Sequence, residues 1–283
     1  MKKTLRIKKN KKKTNKMPAK KRKAKSSKKR EWEHWHHDEW YGKIMADRAI
    51  GKQEEMEQVK QLIKVLKPIY KPGMKVLDVG CGCGHFYPSL RKLDKNIDFT
   101  GVDVVKNYID LANKIFKKAK PRPKFFVGDI FNLKKFGKFD IVFSHMVLHC
   151  IPNHEKALRE LAKATKKHLL IRAMVDDYTY LIKVFRYKDK KEYSYYNIYA
   201  KDELDASLKK SGFSKVKFIK DEFNVKLKKK KGFGTYTYGK LLIIGNIVMN
   251  WKLIHAVKAG TKAKEKIKRK AKRKIKANKR GKK

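Results

Sequence analysis

Hydrophobic rhythm begins about fifty residues into the chain. From Gln53 to Lys67, Met56, Val59, Leu62, Ile63 and Leu66 recur at helical spacing, and Pro68 closes the run, which predicts an amphipathic helix. The period then shortens. Lys75–Val79 is a compact apolar run of strand type, and Phe99–Asp103, Phe125–Ile130, Phe139–Ser144 and His168–Arg172 repeat the pattern. Between these runs the helical period returns. Ile109, Leu111, Ala112, Ile115 and Phe116 mark a helix over Asn107–Lys118, and Ala157, Leu158, Leu161 and Ala162 mark another behind Asn153, a good N-cap. Alternation of strand and helix at this interval predicts an α/β fold with a largely parallel sheet. Downstream, the pattern predicts a helix near Tyr178–Phe185, then an aromatic stretch from Tyr193 to Tyr199. A short helix follows over Asp202–Lys210, stopped by Gly212. Two more strands, Lys215–Phe223 and Leu241–Val257, are joined by the basic loop Lys226–Gly234.

The first predicted strand runs straight into Gly80-Cys81-Gly82-Cys83-Gly84, and a helix pattern can start at His85. Glycines at this spacing let the chain turn sharply and let a ligand lie against bare backbone. The N–H groups of a following helix favour electronegative ligand atoms. The dinucleotide fingerprint does not fit, because its third glycine would fall at His85, and no Lys-Ser/Thr pair follows to make a phosphate loop. Asp78, in the strand before the turn, suits a cationic ligand better than a pyrophosphate.

In these residues and those that follow, the chain resembles the class I S-adenosylmethionine-dependent methyltransferases. Leu77-Asp78-Val79-Gly80-Cys81-Gly82-Cys83-Gly84 looks like their first motif, an acid followed by G-x-G-x-G. The likeness continues in order through Phe99–Asp103, whose acid lies 23 residues after Gly80, through Phe125–Ile130, and through Phe139–Ser144 with His145–Pro152 behind it. The fold this implies is Rossmann-like and doubly wound. Its mostly parallel sheet has seven strands, with the last two predicted strands forming an antiparallel C-terminal hairpin at the edge. The cofactor it implies is S-adenosyl-L-methionine. By the resemblance, Gly80, Cys81, Gly82 and Gly84 admit its methionine part, and Asp78 faces the ammonium. Asp103 takes the ribose hydroxyls, Asp129 the adenine amino group with Ile130 against the ring, and Ser144 borders the methyl donor. The bland reading of each Asp is a cap or turn residue.

A base is required only if the acceptor must lose a proton, and His145 and His149 are the nearest candidates. Either also reads as an ordinary core histidine. Ser144-His145-Met146-Val147 stands where exocyclic-amine methylases carry Asn/Asp-Pro-Pro-aromatic, which counts against that chemistry.

Composition widens the picture. The 283 residues carry a net charge of +50. Residues 1–30 hold 17 basic residues and no acid, and 258–283 hold 15 against Glu265 alone. These segments read as a basic arm (1–30) and a basic tail (259–283), disordered in isolation and able to become helical on a polyanion. They flank an aromatic and histidine-rich segment (31–52) and the catalytic-type domain (53–258). Lysine exceeds arginine, which favours nonspecific RNA or other polyanion binding over a specific site. In Glu31–Tyr41, the spacing of His34, His36 and His37 does not fit a helical metal pair. A base-stacking platform and a lid over the cofactor mouth also fit the segment, and the lid is what similar methyltransferases suggest. Cys81, Cys83 and Cys150 form no disulfide framework or zinc set. No signal peptide or bilayer span is expected, since Leu241–Met249 is short and interrupted, so the chain reads as soluble and cytoplasmic.

Three functions follow from this reading. They are methyl transfer to a small-molecule acceptor, methyl transfer to RNA or the ribosome using the basic tails, and polyanion binding by a fold that has lost catalysis.

Overall fold

A computed structural model describes residues 39–152, 154–185, 193–222, 235–238, 241–244 and 250–259. The basic arm, His34, His36, His37, the Asn153 cap, the Lys226–Gly234 loop and the basic tail lie outside the described residues.

The first five predicted strands are present and parallel: β1 (Lys75–Val79), β2 (Asp98–Asp103), β3 (Lys124–Val127), β4 (Phe139–His145) and β5 (Thr165–Asp176). Two further long strands, β9 (Phe213–Lys220) and β12 (Trp251–Lys258), complete a sheet in the order β3-β2-β1-β4-β5-β12-β9. β12 runs antiparallel to both β5 and β9, which is the expected C-terminal antiparallel pair. A two-residue strand, β8 (Tyr199–Ala200), adds to the end of β5.

Alternation along β1 sets the two layers. Leu77 and Val79 face a core shared with α5 (His154–Ala164) and α6 (Lys201–Lys210). Val76 faces the other core, shared with α2 (Glu57–Leu66), α3 (Tyr87–Leu93) and α4 (Lys106–Ile115). Asp78 falls on this second, apolar side and is almost fully buried. Strand order reverses between β1 and β4, and in open α/β sheets ligands bind at that crevice, outside the carboxyl ends of the strands.

The predicted elements differ from the structure at several points. Residues near Tyr178–Phe185 are not helical. Tyr180 bridges Ile198, and Lys183–Phe185 is a strand, β6, paired with β7 (Tyr193–Tyr195). Repeated aromatic and β-branched residues favour pairing here over a helix. Leu241–Val257 is not one strand. Leu241–Ile244 is β11, which pairs with β10 (Thr235–Tyr238) in a second, four-stranded sheet ordered β11-β10-β6-β7, and only β12 joins the main sheet. Gly245 and Asn246 fall between the two segments, and both residue types are disfavoured in strands. Part of the aromatic segment expected as a lid is a helix, α1 (Glu39–Ala49). Among the described residues no helix is long and apolar enough to cross a membrane.

Candidate functional site

The glycine turn leaves β1 with positive φ at Gly80 (82°) and Gly82 (52°), a conformation L side chains rarely adopt. Space excludes larger residues as well. A Cβ on Gly80 would lie 2.1 Å from Val147 Cγ2, and one on Gly82 would lie 2.4 Å from Met45 Sδ. The second contact shows that α1 packs directly on the turn. Gly84 serves the core instead, since a Cβ there would lie 2.5 Å from the Phe125 ring.

Asp103, at the end of β2, organises the turn from below. Its carboxylate accepts the Gly82 N–H at 2.8 Å through one oxygen and the Val105 N–H at 2.9 Å through the other. One acid thus fixes both the glycine turn and the entry to α4. Asp129, just past β3, accepts the Phe131 N–H at 2.9 Å, the Asx-type turn that the bland reading anticipated. Both acids also line a cavity of about 540 Å³.

That cavity sits at the carboxyl ends of β1, β2 and β4. Its lining includes Gly80, Gly82, Asp103, Asp129, Ile130, His145 and His149. Four sequence-derived candidates are not on its wall. Asp78 and Cys81 lie buried behind the turn, Gly84 packs on Phe125, and Ser144 donates its hydroxyl to the Val79 carbonyl at 2.8 Å, tying β4 to β1. Burial, reinforced by Asp103, holds the Asp78 carboxyl well above the ordinary carboxylate range. Burial likewise raises the Cys81 thiol, and it pushes the Cys83 and Cys150 thiols up to about 12, so none is a ready thiolate.

The loop after β4 carries the two candidate histidines. Met146 adopts φ 57°, which is strained for a non-glycine residue, and a 3-10 turn follows at Leu148–Cys150. Residues of the aromatic stretch brace this turn. Asn197 donates to the Ile151 carbonyl at 2.9 Å and accepts the Ile182 N–H at 3.0 Å, while Tyr199 donates to the Leu148 carbonyl at 2.5 Å. Both imidazoles are buried. Among the described residues neither ring nitrogen of His145 has a hydrogen-bond partner, nor has Nδ1 of His149, while His149 Nε2 lies 3.1 Å from Cys150 Sγ. Burial, and then the Arg172 charge, lower the His149 pKa to about 3, and the same causes with His85 hold His145 well below its usual value.

Several wall residues were not singled out from sequence. Tyr41, Met45 and Arg48 reach the cavity from α1, and Arg48 is the one lysine or arginine among the described lining residues. No periodic pattern marks them, because α1 is only weakly amphipathic. Arg172 was legible in principle as a cation inside the apolar strand run His168–Arg172. It pairs with buried Asp221 at 2.5 Å and stacks on Trp251 at 4.1 Å.

A glycine turn at the switch point, with acids closing β2 and β3 around one cavity, defines the Rossmann-like class I methyltransferase architecture. Comparison with known proteins agrees. Residues 70–204 match a family model described as a methyltransferase domain. Ribosomal RNA small subunit methyltransferase C of Haemophilus influenzae is 31% identical over 96 residues, covering 34% of this chain and 29% of that protein. The malonyl-acyl-carrier-protein O-methyltransferase of Bacillus cereus is 26% identical over 120 residues, 42% of this chain and 43% of that one. The chain thus spans less than half the length of these relatives. The crystal structure of magnesium protoporphyrin IX methyltransferase from Synechocystis, with bound S-adenosylmethionine, superposes with a TM-score of 0.52 at 16% identity. The superposition covers 81% of this chain and 97% of that one, and at such identity it speaks for the fold.

Proposed function

We propose that the protein transfers a methyl group from S-adenosylmethionine to a small-molecule acceptor. The observation that carries this reading is the single cavity that joins the glycine turn, Asp103 and Asp129 to the loop after β4. Its volume of about 540 Å³ lies in the range of roughly 300–1,000 Å³ usual for small-ligand sites, and α1 packs over the turn beside it.

In this reading Gly80 and Gly82 present bare backbone to the methionine part of the cofactor, and Arg48 faces its carboxylate. Asp103 holds the ribose, Asp129 the adenine amino group and Ile130 the ring. Asp78, Cys81, Gly84 and Ser144 act through the shape and field of the turn, one layer back. The bound cofactor supplies an electrophilic methyl on a sulfonium. The chain's own contribution is to orient donor and acceptor in line and to exclude water, which accounts for much of such a rate enhancement. Residues 53–258 form the catalytic unit, with residues 31–52 as its lid.

A second reading, methylation of RNA, has its own support in the net charge of +50 and in the similarity to a ribosomal RNA enzyme. The experiment is to incubate the full chain with methyl-tritiated S-adenosylmethionine and either metabolite extract or total RNA. Label in the low-molecular-weight fraction supports the proposal. Label in RNA alone overturns it in favour of the second reading, and label in neither overturns both.

A further inference from the structure

We propose that the end of the main sheet opposite the cavity is a docking face for a nucleic-acid backbone, which holds the protein on a polyanion and leaves the cavity open. The inference stands apart from the identity of the methyl acceptor.

It starts from where the topology puts charge. Strands β1 to β5 and β9 all run the same way, so the connections that enter them gather at one end of the sheet, and the cavity lies at the other. Of the entering connections, residues 67–75, 114–124, 163–167 and 209–215 carry three, six, three and three lysines or arginines and no acid. The connections that leave the carboxyl ends at 80–86, 128–133, 145–152 and 176–182 hold no lysine or arginine, and they hold the acids Asp129, Asp176 and Asp177. A lysine-rich composition alone would load both ends, so the separation belongs to the fold. β12 also ends on the basic side, beside the start of β9, and the basic tail joins the fold there.

Helix ends account for part of this charge. Lys114, Lys163 and Lys209 lie in the last turns of α4, α5 and α6, where a cation suits the helix dipole. The dipole does not account for Lys75, Lys138 and Lys215, which stand at or beside the starts of β1, β4 and β9. All three are exposed, and none makes an ion pair among the described residues. Acids near this end are already engaged. Asp98 and Asp140 pair with Lys124 and Lys167 at 3.3 and 3.1 Å, and Asp94 accepts the Tyr70 hydroxyl. Like charges gathered in this way repel one another, and a bound polyanion relieves the repulsion.

The residue types choose the occupant. In the four acid-free connections every basic residue except Arg122 is a lysine. Lysine is a point charge on a flexible stem, suited to phosphates in any arrangement and not to bidentate reading of one site. Among the described residues, the large apolar side chains that are exposed, such as Trp40, Phe126, Tyr178 and Leu181, all lie outside the entering connections. The face therefore offers nothing to insert into a bilayer, whereas a phosphodiester chain needs only the charges. β1 sets the distance. Lys75 opens it and Gly80 leaves it, so at about 3.3 Å per residue the face lies roughly 16 Å from the glycine turn. A backbone held there does not cover the cavity.

The test uses the full chain with a labelled single strand of about 20 nucleotides, as RNA and as DNA, and measures affinity by anisotropy across a salt series. Each phosphate contact adds about 0.7 to the slope of log affinity against log salt. Changing Lys118→Gln, Lys138→Gln, Lys166→Gln and Lys215→Gln together should lower that slope by about 2–3 and weaken binding at least tenfold at about 0.15 M salt. The same four positions changed to Arg should keep both values. A control set on the cavity side, Lys43→Gln, Lys52→Gln, Lys106→Gln and Lys201→Gln, should shift the slope by less than about 1. RNA and DNA should bind alike, and saturating RNA should leave the affinity for S-adenosylhomocysteine unchanged. An unchanged slope in the first set, an equal loss in the control set, or displacement of S-adenosylhomocysteine by RNA overturns the proposal. So does tighter binding to phosphatidylserine vesicles than to RNA, which would make the face a membrane contact.

Discussion

Replacing Asp103 by Asn separates the two loads that this carboxylate carries. The substitution keeps size and shape, but one of the two acceptor oxygens becomes an NH2 group. Whichever way the amide settles, a donor then faces either the Gly82 or the Val105 N–H, where the wild type makes bonds of 2.8 and 2.9 Å. Hydrogen bonds to a charged partner contribute about 1.5–3 kcal/mol, and the site is 9% exposed, so water does little to relieve the mismatch. In a domain of this size that corresponds to a melting temperature lower by roughly 3–12 °C. If the same carboxylate also holds a ribose, affinity for S-adenosylhomocysteine falls in addition by about 10- to 100-fold. Scanning calorimetry of the free protein reads the first effect, and isothermal titration at a temperature where the variant is fully folded reads the second. A variant that melts within 1 °C of wild type refutes the hydrogen-bond argument. One that is destabilised yet binds with unchanged affinity refutes the ribose assignment alone.

Gly80→Ala should be more damaging than its size suggests, because it combines φ 82° with a Cβ placed 2.1 Å from Val147, and binding of S-adenosylhomocysteine should drop at least tenfold by titration. Asn197→Ala removes three buried side-chain hydrogen bonds, to the Ile151 carbonyl in the loop after β4, the Ile182 N–H and the Tyr199 hydroxyl, so urea unfolding should show a loss of about 2–4 kcal/mol. Asp78→Asn should do the opposite to the free protein. The folded-state pKa of Asp78 is raised, so the native state holds a proton that the unfolded chain releases above about pH 4, and stability is lost as pH rises. Removing that ionisation should stabilise the ligand-free protein at pH 7 by about 1–2 kcal/mol, read by urea unfolding. His149, with a folded pKa of about 3 against 6.5, gives the reverse slope: between those values the unfolded chain binds the extra proton. Stability should therefore fall as pH drops from 6.5 toward 3, less steeply in His149→Phe, which thermal melts across that range check.

Much of this fold was legible because its elements repeat a simple pattern. β1, β2, β4 and the central part of β5 are runs of buried apolar residues, and α2 keeps one apolar face, so periodicity alone located them. The aromatic region was harder. The stretch around Tyr178–Phe185 has helix-compatible spacing, yet its partners at Ile198 and Tyr195 are distant enough in sequence that only the folded chain shows the pairing. Along the cavity wall, Gly80, Gly82, Asp103 and Asp129 could be anticipated, since turn geometry and strand ends constrain both residue type and spacing. Arg48 and Met45 could not, because a helix packed on a turn leaves little periodic trace. Asp78 and Ser144 show a further limit: spacing along β1 and β4 puts them near the turn, but the pleat decides which side of it they face.

The central claim is that the glycine turn and its acids bind S-adenosylmethionine, and direct titration of S-adenosylmethionine and S-adenosylhomocysteine into the purified full chain tests it. The account predicts one site per chain, with micromolar affinity for both ligands and a raised melting temperature in their presence. Neither heat of binding nor any thermal shift at millimolar ligand would contradict it.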